Sequence, residues 1–348
     1  MPKYALALAG GGTRGAFQVG VWQALGELGI EISAITGTSI GAVNGAMFAS
    51  GVDPSELWKN IEAKDIIDIE GDNLFSWQTL ISTAKQIKDG GIDASSFNEF
   101  LSRHLDEEKV RNSNIEYGLC TYRTDTKKST ELFVEDIPEG ELADYIVASA
   151  NFPVFKRKTI DGVEYIDGGV TNNLPLDMLI ARGYDTIIAV SVKGVGLNRN
   201  VDRCGVNMIE IDCHTPEVGI MDFDTDSIKR SIKSGYYECM RVFGKYLGSM
   251  YSITPDSYSK AQFIYGKEIL DGIEEAADMC GIDKYRVYTF DELCSLVLTS
   301  YNDCRTLKYL VRAMESESSA RGMLDALGKY FRAANAIVYL SKHYFKNQ

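Results

Sequence analysis

The chain has 348 residues, of which 45% are hydrophobic and 24% are charged, as is usual for a globular protein with a large core. Its net charge is −13, and most of the acidity lies in residues 1–247, which hold 24 basic and 36 acidic residues, against 12 and 13 in residues 248–348. This balance argues against a nucleic-acid partner, which needs a basic footprint, and against permanent docking on anionic lipid.

The sequence contains neither a membrane-spanning stretch nor a recognisable signal peptide. No run approaches the roughly 18 consecutive apolar residues that a spanning helix requires. The apolar run Tyr4–Ala9 ends at three glycines and is too short for the core of a signal peptide. Seven cysteines with irregular spacing fit a reduced compartment. We therefore expect a protein that starts near Met1 and is made in the cytoplasm.

The first fifty residues predict two successive units of strand, turn and helix. Tyr4–Ala9 is a short apolar run before the glycines 10–12, and Ala16–Leu28 has helical spacing. Ile32–Thr36 is a second apolar strand, and from Gly41 onward small apolar residues predict a buried helix. Strands and helices that alternate at this interval are typical of a parallel sheet covered by helices.

Further strands are predicted at 115–121, 130–134, 186–192 and 208–211, and a hairpin over 158–166 turns at Asp161-Gly162. A basic amphipathic helix over 228–247 is expected to cap the sheet in preference to lying on a membrane.

Residues 248–348 predict a helical extension that carries no catalytic motif. Helical stretches are expected at 271–280, 291–298, 307–314 and 321–340. Five aromatic residues of this segment could line an acyl channel, but we expect them to be core, because a helix must bury one face; they are Phe263, Tyr265, Tyr309, Tyr330 and Phe331. The predicted division is a catalytic domain, 1–247, and a helical extension, 248–348, which either packs as structure or covers the site.

The first motif lies between a strand and a helix and reads Gly10-Gly11-Gly12-Thr13-Arg14-Gly15. It matches the G-x-G-x-x-G fingerprint of dinucleotide-binding domains, which expects an acidic residue at the end of the next strand. No carboxylate stands there, although Glu31 begins that strand. Backbone N–H groups at a helix N-terminus can also hold a transient oxyanion, and this second use fits better.

The second motif is Gly37-Thr38-Ser39-Ile40-Gly41, again between a strand and a helix. In a nucleophile elbow of the form G-x-S-x-G, the serine occupies a strained turn and projects its hydroxyl above the sheet. The flanking glycines are needed where strand and helix pass too closely for side chains. An ordinary Gly/Ser turn is the alternative, and the strand and helix on either side favour the nucleophile.

The third motif is Tyr165-Ile166-Asp167-Gly168-Gly169. Asp-Gly is a common turn dipeptide, and Asp161-Gly162 is such a turn, but Asp167 ends the returning strand, where two glycines leave room around its carboxylate.

A serine nucleophile needs a base within hydrogen-bond reach, and histidine usually fills this role. We expect the histidines of this chain, His104, His214 and His343, to be structural or solvated. A carboxylate can take the proton directly if it is held against the hydroxyl in a site with little water.

The order of these three motifs resembles the patatin-like phospholipase family, whose members use a Ser–Asp dyad and a glycine-rich oxyanion loop. The stretch Ala148–Phe155 resembles the family segment before the aspartate, and Asp167–Pro175 resembles the aspartate block, although Leu174 here separates the asparagines from the proline. Residues 215–236 are similar to the closing segment of bacterial members. The resemblance covers about residues 4–247.

The resemblance implies that Ser39 is the nucleophile and Asp167 the base. It assigns the oxyanion-hole segment to Gly10, Gly11, Gly12 and Arg14: the amides of Gly11 and Gly12 would bind the anion, while Gly10 shapes the loop and Arg14 supports it. The remaining motif glycines are Gly15, Gly37, Gly41, Gly168 and Gly169. The implied fold is an α/β class, three-layer α/β/α sandwich with a mostly parallel sheet, and no metal or organic cofactor is implied.

We therefore expect a lipid acyl hydrolase whose partner is a lipid or another acyl ester, reached through transient contact with a membrane or micelle. Three other functions stay open: an acyltransferase of similar fold, a lipid-binding protein without catalysis, and a nucleotide-binding protein of the Rossmann type. The sequence gives no oligomeric state.

Overall fold

The computed structural model of the protein describes residues 3–62, 95–315 and 328–343. The chain divides into two compact units, Met1–Cys239 and Met240–Gln348, so the division falls within a helix that spans Thr225–Val242. That residues 1–247 form a catalytic domain and residues 248–348 a helical extension stays a prediction. No helix in the described part of the chain combines the length and apolarity needed to cross a membrane.

The first unit is built on a mixed sheet whose centre is parallel. In the described residues its strands are β1 (Tyr4–Leu8), β2 (Ile32–Thr38), β3 (Glu116–Arg123), β4 (Lys128–Phe133), β5 (Lys158–Ile160), β6 (Val163–Asp167), β7 (Thr186–Ser191) and β8 (Asn207–Asp212). Their order is β5-β6-β3-β2-β1-β7-β8, with β4 also paired to β3. The pairs from β3 through β2, β1 and β7 to β8 are parallel, whereas β4, β5 and β6 join antiparallel. This confirms the predicted mostly parallel sheet.

The predicted hairpin of β5 and β6 is also confirmed. Its two turn residues, Asp161 and Gly162, have positive φ angles of 49° and 78°. Positive φ at both central residues is the signature of the tight turn that matches the twist of the paired strands.

Helices cover both faces of this sheet. Those described are α1 (Ala16–Glu27), α2 (Ile40–Ala49), α3 (Ser55–Asn60), α4 (Ser95–His104), α5 (Glu107–Arg111), α6 (Leu142–Ser149), α7 (Leu176–Ala181) and α8 (Thr225–Val242). Adjacent residues of β3 show the two faces, because neighbouring side chains of a strand point to opposite sides. The Tyr117 hydroxyl donates to the carbonyl of Ala42 in α2, while a β-carbon on Gly118 would meet Met178 of α7. The protein has the expected α/β/α layers.

Helix α2 is surrounded by other parts of the core. Every residue from Gly41 to Ala49 is buried, which matches the predicted buried helix of small side chains. A helix that is apolar on all sides gains its stability from packing, because it has no face left for water.

The second unit is helical, as predicted. Its described elements are β9 (Ser252–Ile253), α9 (Pro255–Tyr265), α10 (Lys267–Met279), β10 (Val287–Tyr288), α11 (Phe290–Ser300), α12 (Arg305–Glu315) and α13 (Lys329–His343). Helix α9 was not predicted, because it has no apolar stripe and buries only Tyr258 and Ala261. The part of the predicted helix 321–340 before residue 328 lies outside the described residues.

The prediction that five aromatic side chains of this unit are core is wrong for three of them. Phe263, Tyr309 and Tyr330 are 92%, 73% and 37% exposed, whereas Tyr265 and Phe331 pack against the core of the second unit. The reason is helical phase: on α9 the buried face passes through 258, 261 and 265, so residue 263 points away from it.

Glu274 is a fully buried carboxylate that holds the chain before β9 in place. Its oxygens accept the N–H groups of Ser249, Met250 and Tyr251, at 2.8, 2.6 and 2.9 Å. Burial raises the pKa of Glu274, while these N–H donors act in the opposite direction.

We expect Glu274→Ala to destabilise the second unit by ~2 kcal/mol, because the N–H groups of Ser249, Met250 and Tyr251 lose their common acceptor. Amide hydrogen exchange at these three residues should accelerate. The matched control is Glu268→Ala, at an exposed position of α10. Equal exchange rates in the two variants would show that the carboxylate does not stabilise this loop.

Candidate active site

Ser39 occupies a strained turn between β2 and α2. Its φ and ψ angles are 57° and −126°, and its carbonyl accepts the N–H of Ala42 at 2.9 Å as the helix begins. A positive φ in this range is uncommon for a residue with a side chain and persists only where its surroundings enforce it. The strained turn of a nucleophile elbow is therefore present at the serine of the G-x-S-x-G motif.

The glycines on either side of this turn are required by close packing. A β-carbon on Gly37 would lie 2.6 Å from the nitrogen of Ala42, and one on Gly41 would lie 2.7 Å from the carbonyl carbon of Leu8. Helix α2 thus packs so closely on strands β1 and β2 that positions 37 and 41 have room only for a hydrogen atom in place of a side chain.

A buried serine connects the Ser39 turn to β3. The N–H of Ser39 donates to the Ser149 hydroxyl at 2.9 Å, and that hydroxyl donates to the carbonyl of Cys120 at 2.7 Å. Ser149 lies at the end of α6, in the stretch that resembles the family segment before the aspartate. Sequence reasoning gave Ser149 no role, because a hydroxyl that bridges two distant segments leaves no local pattern.

Strand register brings Asp167 to the same place. On one side of β3, Thr38 pairs with Cys120, so Ser39 follows directly; on the other side, Asp167 pairs with Thr121. Strands β2 and β6 thus lie on opposite sides of β3 and end at neighbouring positions along it, Cys120 and Thr121. Their ends therefore lie close together.

The carboxylate of Asp167 is buried and hydrogen-bonded. It accepts the N–H of Gly169 at 2.7 Å, while its own N–H donates to the carbonyl of Asn151 at 2.8 Å. Burial raises the pKa of Asp167 from 3.8 to about 6, although the bonds from Ser39 and Gly169 act to lower it. At pH 7 the group is mostly ionised and more basic than an ordinary aspartate.

The glycines after Asp167 fit tightly against their surroundings. A β-carbon on Gly168 would lie 2.7 Å from the carbonyl carbon of Cys120, and one on Gly169 would lie 3.0 Å from Oδ1 of Asp167. Positions 168 and 169 therefore have no room for a side chain beside the carboxylate.

The first glycine of the G-x-G-x-x-G loop lies against Ser39. A β-carbon on Gly10 would be 3.0 Å from Cβ of Ser39. The N–H of Gly10 donates to the carbonyl of Asn173 at 3.1 Å, and the Asn173 amide donates back to the Gly10 carbonyl at 3.3 Å. The Gly10 amide is thus occupied, which fits the shaping role that the resemblance implies for Gly10.

Unlike the N–H of Gly10, the N–H groups of Gly11 and Gly12 are not hydrogen-bonded in the described part of the chain. They begin a 3₁₀ turn, Gly12–Gly15, that continues into α1. The first N–H groups of a helix lack partners inside the helix and carry its positive dipole end. These two amides could receive an anion beside Ser39.

Arg14 points away from this anion position. Its Nε donates to the carbonyl of Val218 at 3.3 Å, and its guanidinium also donates to the carbonyl of Lys193. Arg14 therefore supports the loop and does not itself supply a side-chain donor to an oxyanion. At the end of the turn, a β-carbon on Gly15 would lie 2.5 Å from Ile40, so Gly15 allows the loop to pack on α2.

Two buried amides under the loop were not found by sequence reasoning. The Gln18 side chain donates to the carbonyl of Ala9 at 2.7 Å, and the Asn44 side chain donates to the carbonyl of Gly15 at 3.0 Å and to Gln18 at 2.9 Å. They hold both ends of the glycine loop. The available signal was a polar side chain on an otherwise apolar helix, because such a group must find a buried partner.

An apolar cavity of about 90 Å³ opens beside Ser39 and Gly12. The other lining residues carry no ionisable side chain; they are Thr13, Ile40, Trp58, Ile61, Phe97, Val147, Ala150, Asn151, Phe152, Phe155, Ile220, Met221 and Phe223. Small-molecule sites are typically lined by apolar and aromatic side chains of this kind.

The three histidines lie elsewhere. The ring nitrogen Nδ1 of His104 contacts the carbonyl of Phe100 at 2.8 Å, and that of His343 contacts the carbonyl of Tyr339. His214 has a 70% exposed side chain, 3.8 Å from Glu238. His104 and His214 lie in the same unit as Ser39 and Asp167, and in the described residues neither contacts them.

Comparison with known proteins identifies the family. The model for patatin-like phospholipases matches residues 6–180, half of the chain. Among the curated relatives, patatin-like phospholipase domain-containing protein 7 of Rattus norvegicus is 32% identical over 191 residues, which cover 54% of this chain and 13% of the rat protein. The lysophospholipase NTE1 of Saccharomyces cerevisiae is 29% identical over 189 residues, 54% of this chain and 10% of that protein. The match therefore spans about an eighth or less of these relatives.

Among solved structures, VipD of Legionella pneumophila aligns with 96% of this chain and 88% of its own, at 13% identity and a TM-score of 0.45. The family model covers the strand–loop–helix units that carry both glycine motifs and Asp167. The chain belongs to the patatin-like phospholipase family.

Proposed function

We propose that this protein is a lipid acyl hydrolase that cleaves carboxylic esters through an acyl-enzyme on Ser39, with Asp167 as the base. The observation that carries this proposal is the buried carboxylate of Asp167, which strand register brings to Ser39 and whose pKa burial raises to about 6. The ordinary pKa of histidine is about 6.5. Burial thus gives this carboxylate nearly the basicity of the imidazole that serves in most serine hydrolases.

In the proposed reaction the Ser39 oxygen attacks the ester carbonyl carbon while its proton passes to Asp167. The carbonyl oxygen becomes an anion and accepts the N–H groups of Gly11 and Gly12, which have no other acceptor in the described residues. When the intermediate collapses, the alcohol leaves with the proton held on Asp167, and the acyl group stays on Ser39. Water then attacks the acyl carbon while Asp167 takes its proton. The bond between the acyl group and the Ser39 oxygen breaks, Asp167 returns the proton to that oxygen, and the fatty acid is released.

The substrate class follows from the cavity and the family. The described residues that line the cavity beside Ser39 are mostly apolar and carry no ionisable side chain, so the cavity suits an acyl chain better than a charged headgroup. Relatives of the chain are named phospholipases and lysophospholipases. We therefore propose phospholipid or lysophospholipid esters as substrates, reached at a membrane or micelle surface.

We expect Ser39→Ala to lower turnover of an acyl ester by about 10⁴-fold or more, because no other group can form the acyl-enzyme. Hydrolysis of fatty-acyl esters of graded length measures the loss, and a fluorophosphonate should label wild type at Ser39. Ser50→Ala, at the other end of α2, is the matched control. Wild-type turnover in Ser39→Ala would contradict the proposal, whereas acyl transfer to an added alcohol in excess of hydrolysis would identify an acyltransferase.

We expect Asp167→Asn to abolish activity and to stabilise the fold at neutral pH. Folding raises the pKa of this carboxyl from 3.8 to about 6, so its contribution to stability is present below the unfolded pKa and is lost as pH rises through the folded pKa. Asparagine does not ionise and escapes this loss. The variant should gain about 2 kcal/mol in unfolding free energy relative to wild type between pH 4 and pH 7, measured by denaturant unfolding at both pH values.

A combined replacement of His104, His214 and His343 by Gln is the control for Asp167→Asn. These side chains do not contact the dyad in the described residues, so a folded triple variant should retain most activity. If the triple variant is folded but inactive, a histidine is the base and Asp167 has another role.

A further inference from the structure

The segment Lys193–Arg199, here called the aliphatic loop, lies at the same edge of the sheet as the candidate active site. It follows β7, which is the parallel neighbour of β1. The glycine loop follows β1 and Ser39 follows β2, which is parallel to β1. Because the carboxyl ends of parallel strands share one edge, all three segments emerge side by side.

The backbone of the aliphatic loop is fixed against the site. The N–H of Leu197 donates to the carbonyl of Gly169 at 2.8 Å, and the carbonyl of Leu197 accepts the N–H of Asn173 at 2.8 Å. A β-carbon on Gly194 would lie 2.7 Å from the Cα of Gly11, and one on Gly196 would lie 2.6 Å from the Asn173 side chain. Alternate residues of the loop therefore press their backbone onto the two segments that flank Ser39.

The side chains between these glycines point to solvent. Val195 is 57% exposed and Leu197 is 66% exposed. A single exposed aliphatic residue is ordinary on a protein surface. Here two exposed aliphatic residues, separated by a single glycine, lie on a backbone that is held in place. They therefore face outward together and contribute little to the core.

The aliphatic loop carries positive charge, whereas the chain as a whole is acidic. The chain has a net charge of −13, whereas the loop carries Lys193 and Arg199 and no acidic residue. Arg199 is paired with Glu131 and Asp177. Lys193 is exposed and donates to the carbonyl of His214, which leaves its positive charge uncompensated by a carboxylate in these contacts. An aliphatic pair beside a surface cation complements a lipid surface, where phosphate lies above acyl chains.

We propose that the aliphatic loop docks the protein on a phospholipid surface, with Val195 and Leu197 entering the acyl region and Lys193 at the level of the phosphates. This inference rests on the proposed function. Docking here brings the edge of the sheet that carries Ser39 onto the lipid, so that a single ester can enter the apolar cavity. The two aliphatic side chains supply reversible binding, because their apolar area is small.

The test compares vesicle binding in a Ser39→Ala parent, which leaves the lipid intact, with the same parent carrying Val195→Ser and Leu197→Ser. Phosphatidylcholine vesicles are the probe, and sedimentation measures the bound fraction. We expect the added serines to weaken binding about tenfold or more, because each removes aliphatic area from the contact. Val52→Ser in the same parent is the matched control: this 36% exposed residue follows the far end of α2, away from Ser39.

In the active enzyme, the two serine substitutions should lower the ratio of vesicle hydrolysis to hydrolysis of a short soluble ester by a similar factor. Binding within about twofold of the parent, or a parent that does not bind vesicles, would overturn the docking proposal. So would a dimer in ultracentrifugation that the substitutions dissociate without a change in vesicle binding, since the patch would then contact a second copy. If wild type hydrolyses neither ester the proposed function fails, and vesicle binding by the parent still decides the role of the loop.

Discussion

The chemistry proposed for this protein depends on one buried carboxylate, which lies at the junction where the parallel and antiparallel strands of the sheet meet. Asp167 ends β6, which runs antiparallel to β3, while Ser39 follows β2, which runs parallel to β3. At that junction the carboxylate is buried, and in the described residues it accepts the N–H of Gly169, while the Ser39 hydroxyl also acts to lower its pKa. These interactions do not replace full hydration, so the pKa rises to about 6. In the proposed mechanism this value, which is close to that of an ordinary imidazole, lets the carboxylate accept the proton of serine at neutral pH without a histidine.

The segments around this junction are held in place by contacts with one another, and not by the backbone preferences of their own residues. Asn173 binds Gly10 through two hydrogen bonds, the Ser149 hydroxyl joins Ser39 to β3, and Gln18 and Asn44 fix both ends of the glycine loop. The strained φ of Ser39 persists because of these contacts. In the proposed reaction such rigidity matters, because donors that are already aligned need not reorganise as charge develops on the substrate oxygen.

Patterns in the sequence predicted the elements that depend on neighbouring residues. The alternation of strands and helices gave the parallel sheet, the Asp161-Gly162 pair gave the hairpin, and the glycines around Ser39 gave a tight turn. The sequence also placed Asp167 at a strand end. Pattern alone could not place Asp167 beside Ser39, a pairing that only the family resemblance implied, because the approach of the two depends on strand registers on either side of β3.

The errors of prediction concern contacts that a sequence pattern does not show. Phe263 and Tyr309 were expected in the core, because composition shows that a helix must bury a face but does not show which face its neighbours cover. Gln18 and Asn44 were overlooked although each is a polar residue on an apolar helix, a signal that can be read from sequence.

The central claim is that the buried carboxylate of Asp167 activates Ser39. The most direct test is the rate at which a fluorophosphonate labels Ser39 as a function of pH, in wild type and in Asp167→Asn. Labelling reports the reactivity of the hydroxyl alone and requires no knowledge of the natural substrate. The account predicts that the wild-type rate rises with pH through a single ionisation near pH 6, and that Asp167→Asn labels slowly and without that inflection. An inflection near pH 6 that survives in Asp167→Asn would contradict the account, because another group would then be the base.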